Sequence, residues 1–246
     1  MQQSELKTST KQRIFIVIIA ALMLGASVAI YIGIIISGST SSTTSTSGVD
    51  EKLIAELSAT YDEKKSELDE KSSELSNKYF EKFSSYRSKV KSFNAKSANE
   101  TGKVKTEDLK IGSGDELKTD STDYGAYYIG WCSDETVFDS SFDDFESPTK
   151  LNDPLIVKEE SLIEGWYLGV NGMKLGGARI VTIPGELAYG ESYNPCDPDS
   201  EEKNVPLKFL IMPVAVSGDY VTLQAETQTA YMKLLYAQYG LEYTEE

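Results

Sequence analysis

Between Leu162 and Gly190 the chain reads LIEGWYLGVNGMKLGGARIVTIPGELAYG, and glycine and proline punctuate it so closely that few backbone paths fit. Apolar residues at Leu162, Ile163, Trp166, Tyr167, Val170 and Met173 recur at the spacing of a short helix with one buried face. Ser161, followed three residues later by Glu164, predicts a capping box that starts this helix. Gly169, Gly172, Gly176 and Gly177 weaken and end it. The β-branched run from Ala178 to Ile183 then predicts a strand, closed by Pro184-Gly185 and an aromatic loop ending Ala188-Tyr189-Gly190. Further strands are expected around Val104 to Ile111 and Tyr124 to Trp131, separated by the turn signal Gly112-Ser113-Gly114-Asp115.

Upstream the texture is different. Ile14 to Ile36 carries no charged side chain and exceeds the roughly 20 residues that span a bilayer; a cleaved signal peptide has a shorter apolar region, of about 7–15. Lys7, Lys11 and Arg13 precede the stretch, which predicts a cytoplasmic N-terminus over 1–13, a signal-anchor helix over 14–36 and an extracytoplasmic remainder. Residues 37–48 form a Ser/Thr/Gly linker that cannot bury a core. From 49 to 101 the chain reads as a helical stalk or coiled coil, one helix or two. Leu53, Leu57, Tyr61, Leu68 and Leu75, then Tyr79, Phe83, Tyr86, Val90 and Phe93, draw a stripe whose phase slips near Leu75 to Tyr79. Such a stripe suits self-association or client docking, and equally a solvated spacer. Asn99-Glu100-Thr101 matches an N-glycosylation acceptor. A globular domain follows over 102–216, and 217–246 reads as a helical extension, helical from Val221 to Tyr239.

Composition narrows the chemistry. A formal net charge of −15 argues against a nucleic-acid partner, which needs a concentrated basic surface. The absence of His removes the usual nucleophile partner and the commonest zinc ligand, so hydrolytic and zinc chemistry are poor expectations. Cys132 and Cys196 could form one disulfide in an oxidising compartment or stand as two unrelated thiols.

The order of residues adds more. G-W-x-x-G-V-x-G-M-K-x-G followed by T-I-P-x-E-L-A-Y-G, with Tyr128-Ile129-Gly130 and Val137-Phe138-Asp139-Ser140-Ser141 upstream and Val205-Pro206 downstream, resembles the FKBP-type peptidyl-prolyl isomerases. The resemblance covers roughly Lys105 to Val216. It implies an α+β fold, an antiparallel sheet wrapped on a short helix, and catalysis of X–Pro rotation without cofactor or metal. It places Trp166 at the floor of a proline pocket, Tyr128 and Phe138 on its walls, and Leu162 and Ile163 at its rim. It further implies that the backbone N–H of Ile163 and the Tyr189 hydroxyl donate to substrate, that Asp139 stands at the polar edge, and that Phe209 or Ile211 closes the apolar side. The connection from Phe142 to Pro154 is longer and more acidic than the family pattern, and the loop from Glu191 to Asn204 carries Asp197, Asp199, Glu201 and Glu202. Together these features predict a membrane-anchored foldase acting on proline-containing client polypeptides. The alternative is a tethered binding or chaperone module with little isomerase activity.

Overall fold

Strands form where β-branched and aromatic residues alternate or run unbroken, and the computed structural model, which describes residues 50–244, has six of them. β1 (Lys105–Lys110), β2 (Gly125–Trp131), β3 (Val137–Ser140), β4 (Leu155–Ile156), β5 (Ala178–Ile183) and β6 (Leu207–Val214) make one antiparallel sheet. Its order is β1-β5-β6-β2-β3, with β4 pairing the first residues of β2. Among the described residues four α-helices accompany it: α1 (Glu51–Ser84), α2 (Ala95–Glu100), α3 (Glu164–Val170) and α4 (Gly218–Gln238). The expected N-terminal segment, span and linker over 1–48 lie outside the described residues, among which no helix is long and apolar enough to cross a membrane.

Strand alternation gives the sheet two apolar faces. Ala126 of β2, Val181 and Ile183 of β5, and Leu207, Phe209 and Ile211 of β6 pack with Trp166 and Val170 of α3 on one face. On the other, Tyr127, Ile129 and Trp131, Ala178 and Ile180, and Leu210, Met212 and Val214 form a second cluster with Phe83. The sheet is therefore the middle of three layers.

That second layer corrects the stalk. Of the two readings of residues 49–101, one helix or two, the structure has two helices: α1 stops at Ser84, where the Ser85 hydroxyl donates to the Lys82 carbonyl at 2.6 Å and so competes with the helix ladder. A 3-10 turn at Arg87–Lys89 and an extended run to α2 follow. The apolar stripe of α1 is covered by this chain's own sheet and by α4. Phe83, fully buried, has its ring centroid 6.0 Å from that of Tyr127 and 5.2 Å from that of Phe142. Ser76 Oγ accepts the Leu151 N–H at 2.8 Å, and the Ser72 and Tyr220 hydroxyls lie 2.9 Å apart. Tyr61 meets Tyr231 of α4 at 5.7 Å, and Lys64 pairs with Glu226 at 2.6 Å. A stripe at helical spacing needs an apolar partner, and the sheet supplies one without a second chain.

The caps follow local chemistry, with one exception. Asp50 accepts the Lys52 and Leu53 N–H groups at the start of α1, and Ser217 accepts the Tyr220 N–H at the start of α4. The capping box expected of Ser161 and Glu164 does not form. The N-cap of α3 is Ile163, without a side-chain bond, because the Tyr167 hydroxyl takes the Ser161 and Leu162 N–H groups at 3.0 and 3.2 Å and the Ser161 hydroxyl donates to Lys158. At the other end of α3, buried Arg179 donates to the Gly169 and Asn171 carbonyls, both at 2.9 Å, while its other nitrogens grip Asp108 at 2.6 and 3.1 Å. One guanidinium thus fixes α3 to β1 and β5.

Candidate functional site

The β2–β6 register places Tyr128 beside Ile211 and Gly130 beside Phe209, and the β2–β3 register sets Gly130 opposite Asp139. These pairings gather the aromatic residues of three strands above α3. Trp166 is buried, with its ring centroid 5.7 Å from both Tyr128 and Phe209 in edge-on contacts. Phe138 meets Phe209 edge-on at 5.6 Å. Edge-to-face packing of this kind makes a rigid apolar surface. Of the two residues proposed to close the apolar side, Phe209 touches the aromatic group, while Ile211 is wholly buried in the core beneath. A Cβ at Gly130 would sit 2.6 Å from the Phe138 ring and 2.8 Å from Phe209, so only glycine lets these rings close over β2.

Polar groups stand along one edge. The Tyr128 hydroxyl donates to the Asp139 carboxylate. Burial raises the Asp139 pKa above the ordinary carboxylate value, with the Tyr128 hydroxyl and the Ser140 N–H acting against it. Burial, then the Asp139 charge, pushes the Tyr128 hydroxyl well above its usual range, and the same two causes raise Tyr189. Both phenols are therefore protonated donors at neutral pH. Tyr189 packs half-buried against the cluster beside Leu162 and Ile163, and its ring meets Tyr193 edge-on at 5.6 Å. Neither its hydroxyl nor the Ile163 N–H donates to another described residue, so both remain available to a ligand.

The structure thus brings Tyr128, Phe138, Asp139, Leu162, Ile163, Trp166, Tyr189 and Phe209 to one face of the sheet. Two surface clefts, of about 410 Å³ beside Leu168 and about 660 Å³ beside Lys82, are lined by none of them. Cys132 and Cys196 are joined in a disulfide, Cα to Cα 5.9 Å, tying the loop after Tyr189 to the end of β2.

Sequence reasoning missed three contributors. Tyr124 accepts the Trp166 indole N–H at 3.3 Å, and burial pushes its own hydroxyl up to about 12. A buried indole needs such a partner, and Tyr124 stands just before the Tyr128 motif, which was the available signal. Tyr193 was hidden among acidic loop residues. Gly130 was visible in the Tyr-x-Gly triplet without its steric reason. Phe142, the next aromatic after Phe138, faces the other way, toward Phe83 and Phe80.

A family model described as FKBP-type peptidyl-prolyl cis-trans isomerase matches residues 115–212. The FK506-binding protein of Neisseria meningitidis serogroup A is 37% identical over 89 residues, covering 36% of this chain and 76% of that protein. FK506-binding protein 4 of Aspergillus fumigatus is 34% identical over 113 residues, covering 45% of this chain, which spans 21% of that longer relative. Among solved structures, AtFKBP13 is similar at 28% identity, over 46% of this chain and 93% of that one, with a TM-score of 0.37.

Proposed function

The chain belongs to the FKBP-type peptidyl-prolyl cis-trans isomerase family, and from that premise we propose that it accelerates rotation about X–Pro bonds in exported or surface polypeptides. The supporting observation is the aromatic cluster built on Trp166, with the Tyr128–Asp139 pair at its polar edge.

The barrier to X–Pro rotation, about 18–20 kcal/mol, comes from amide resonance. A catalyst needs no bond to the substrate, only a surface that favours the twisted amide over the planar one. Trp166, Phe138 and Phe209 give the prolyl ring an apolar seat poor in water, where loss of amide polarity is less unfavourable. The Ile163 N–H and the Tyr189 hydroxyl hold the peptide backbone on either side. Asp139, oriented by Tyr128, presents charge to the carbonyl as it turns out of conjugation.

The disulfide and the apolar stretch from Ile14 to Ile36 support an extracytoplasmic domain on a single-pass anchor. Acceleration of isomerisation in a short X–Pro peptide by the full-length chain tests the activity. We expect Asp139→Val and Tyr189→Phe to lower it about tenfold with the fold intact. No acceleration by a folded parent would favour the alternative, a tethered binding module that keeps the cluster for docking. Protease accessibility of the C-terminal domain in intact cells tests the topology, and protection from added protease would overturn it.

A further inference from the structure

Asn99 precedes the stretch that the family model matches, yet its side chain reaches the site. It projects from α2, a helix capped by the Asn94 side chain on the Ser97 N–H at 2.8 Å and seated by buried Ala98. Asn99 Oδ1 accepts the Gly185 N–H at 2.8 Å, and its Nδ2 donates to the Asn204 carbonyl at 3.0 Å. Gly185 opens the turn that carries Tyr189; Asn204 ends the acidic loop that follows. The two backbones are so close here that a Cβ on Gly185 would lie 1.9 Å from the Asn204 carbonyl carbon. Asn204 itself has a positive φ of 55°, a conformation that needs support from its neighbours.

The bonds continue inward. The Gly185 carbonyl accepts the Ala188 N–H at 3.1 Å and the Gly190 N–H at 3.0 Å, and the Gly190 carbonyl accepts the Asn204 N–H at 2.8 Å. Tyr189 sits inside this ring of bonds, fixed on both sides by groups that the Asn99 amide holds together.

We infer that Asn99 is a positioning residue of the site, clipping the start of the Tyr189 turn to the end of the acidic loop so that the Tyr189 hydroxyl stays aimed at the substrate. The inference rests on the proposed role of Tyr189 as a donor. An element outside the family-matched stretch thereby completes the pocket, and a fragment beginning at Lys103 lacks it.

The test is a double-mutant cycle in the full-length chain, reading kcat/KM on a short X–Pro peptide for the parent, Asn99→Ala, Tyr189→Phe and the double variant. Acting through Tyr189, Asn99→Ala lowers kcat/KM about three- to tenfold in the parent and less than about twofold in the Tyr189→Phe background. Equal factors in both backgrounds would overturn the inference. Amide exchange supplies a readout independent of turnover: Gly190 and Asn204 exchange about tenfold faster in Asn99→Ala while Ile129 and Leu210 stay unchanged. If the parent shows no turnover, the isomerase reading falls alone, and unchanged exchange at Gly190 and Asn204 would still sink the clip. Asn99→Asp, which keeps the acceptor and loses the donor, gives the same pattern with smaller changes should the alanine variant fold poorly.

Discussion

Tyr127 and Tyr128 are consecutive in β2 and point to opposite faces of the sheet, and the contrast between those faces organises the molecule. On the helix-covered face, Phe83, Tyr127, Ile129, Trp131, Leu210 and Met212 are essentially inaccessible. On the site face, Trp166 and Phe209 are buried but Tyr128, Phe138, Asp139 and Tyr189 remain partly exposed. Both faces bury a core, but only the front one leaves a partly open aromatic and polar rim, the candidate site, so a change confined to the back can be read largely without that rim.

The largest expected effect follows from uncovering the back. A chain begun at Lys103 loses α1 and leaves this apolar face open, and no cooperative urea transition is expected. Phe83→Ala, a milder version, lowers unfolding free energy by about 3–5 kcal/mol while peptide turnover per folded molecule holds. A comparable drop in turnover would show that the faces are coupled.

Next is the disulfide. Cys132 and Cys196 are separated by 64 positions, and closing a loop of that length is worth up to about 4 kcal/mol in the chain-entropy model. Replacing both by Ser should lower the thermal midpoint, measured calorimetrically, and slow peptide turnover, since the same bond holds the loop beyond Tyr189.

The paired tyrosines sharpen the contrast further. The buried Tyr127 hydroxyl has no partner among the described residues, so Tyr127→Phe should leave stability unchanged or raise it by about 1 kcal/mol, with turnover intact. Tyr128→Phe removes the donor to Asp139 and should cut turnover about tenfold in the same peptide assay. The reverse pattern would invert the assignment of the faces.

Smaller still is a pH effect. The Asp139 pKa is raised in the folded state, so the folded chain binds the extra proton, and stability contributed by this group is lost as pH climbs from the unfolded carboxylate value, about 4, through the raised one. Asp139→Asn should therefore gain stability relative to the parent as pH increases, as read by urea titration at pH 3.5 and 6.5. A constant difference would contradict the burial of this carboxyl. Smallest is the rim: Asp197, Asp199, Glu201 and Glu202 should favour Lys-flanked over Glu-flanked prolyl peptides a few-fold at low salt, a preference that fades at high salt.

The residues of the candidate site were legible because the sequence signals that mark them are local. Tyr128, Phe138, Asp139, Trp166 and Tyr189 each stand within a short motif, and the strand read at Ala178 to Ile183 matches β5 in the structure. The back of the molecule was not legible in the same way. A heptad-like stripe records only that a helix has an apolar side, and Leu68, Leu75, Tyr79 and Phe83 would look the same facing a second helix or this sheet. The end of α1 at Ser84 carried no glycine or proline to mark it, and the Tyr167 hydroxyl displaced a capping box that Ser161 and Glu164 had spelled out. The cysteine pairing depended on a fold-level approach between β2 and a distant loop, which spacing alone leaves open.

The bond between Cys132 and Cys196 also bears on how the proposed client would be met. A connection from Tyr189 to the start of β6 would, if free, have to give up its conformational entropy at every encounter. Anchored at Cys196, held at Asn204 and folded on its own turns at Asn194 and Ser200, it has surrendered most of that freedom when the thiols are oxidised. A prolyl segment of the kind proposed as substrate would then meet a loop already ordered by the Cys132–Cys196 bond, with less freedom left to lose on association.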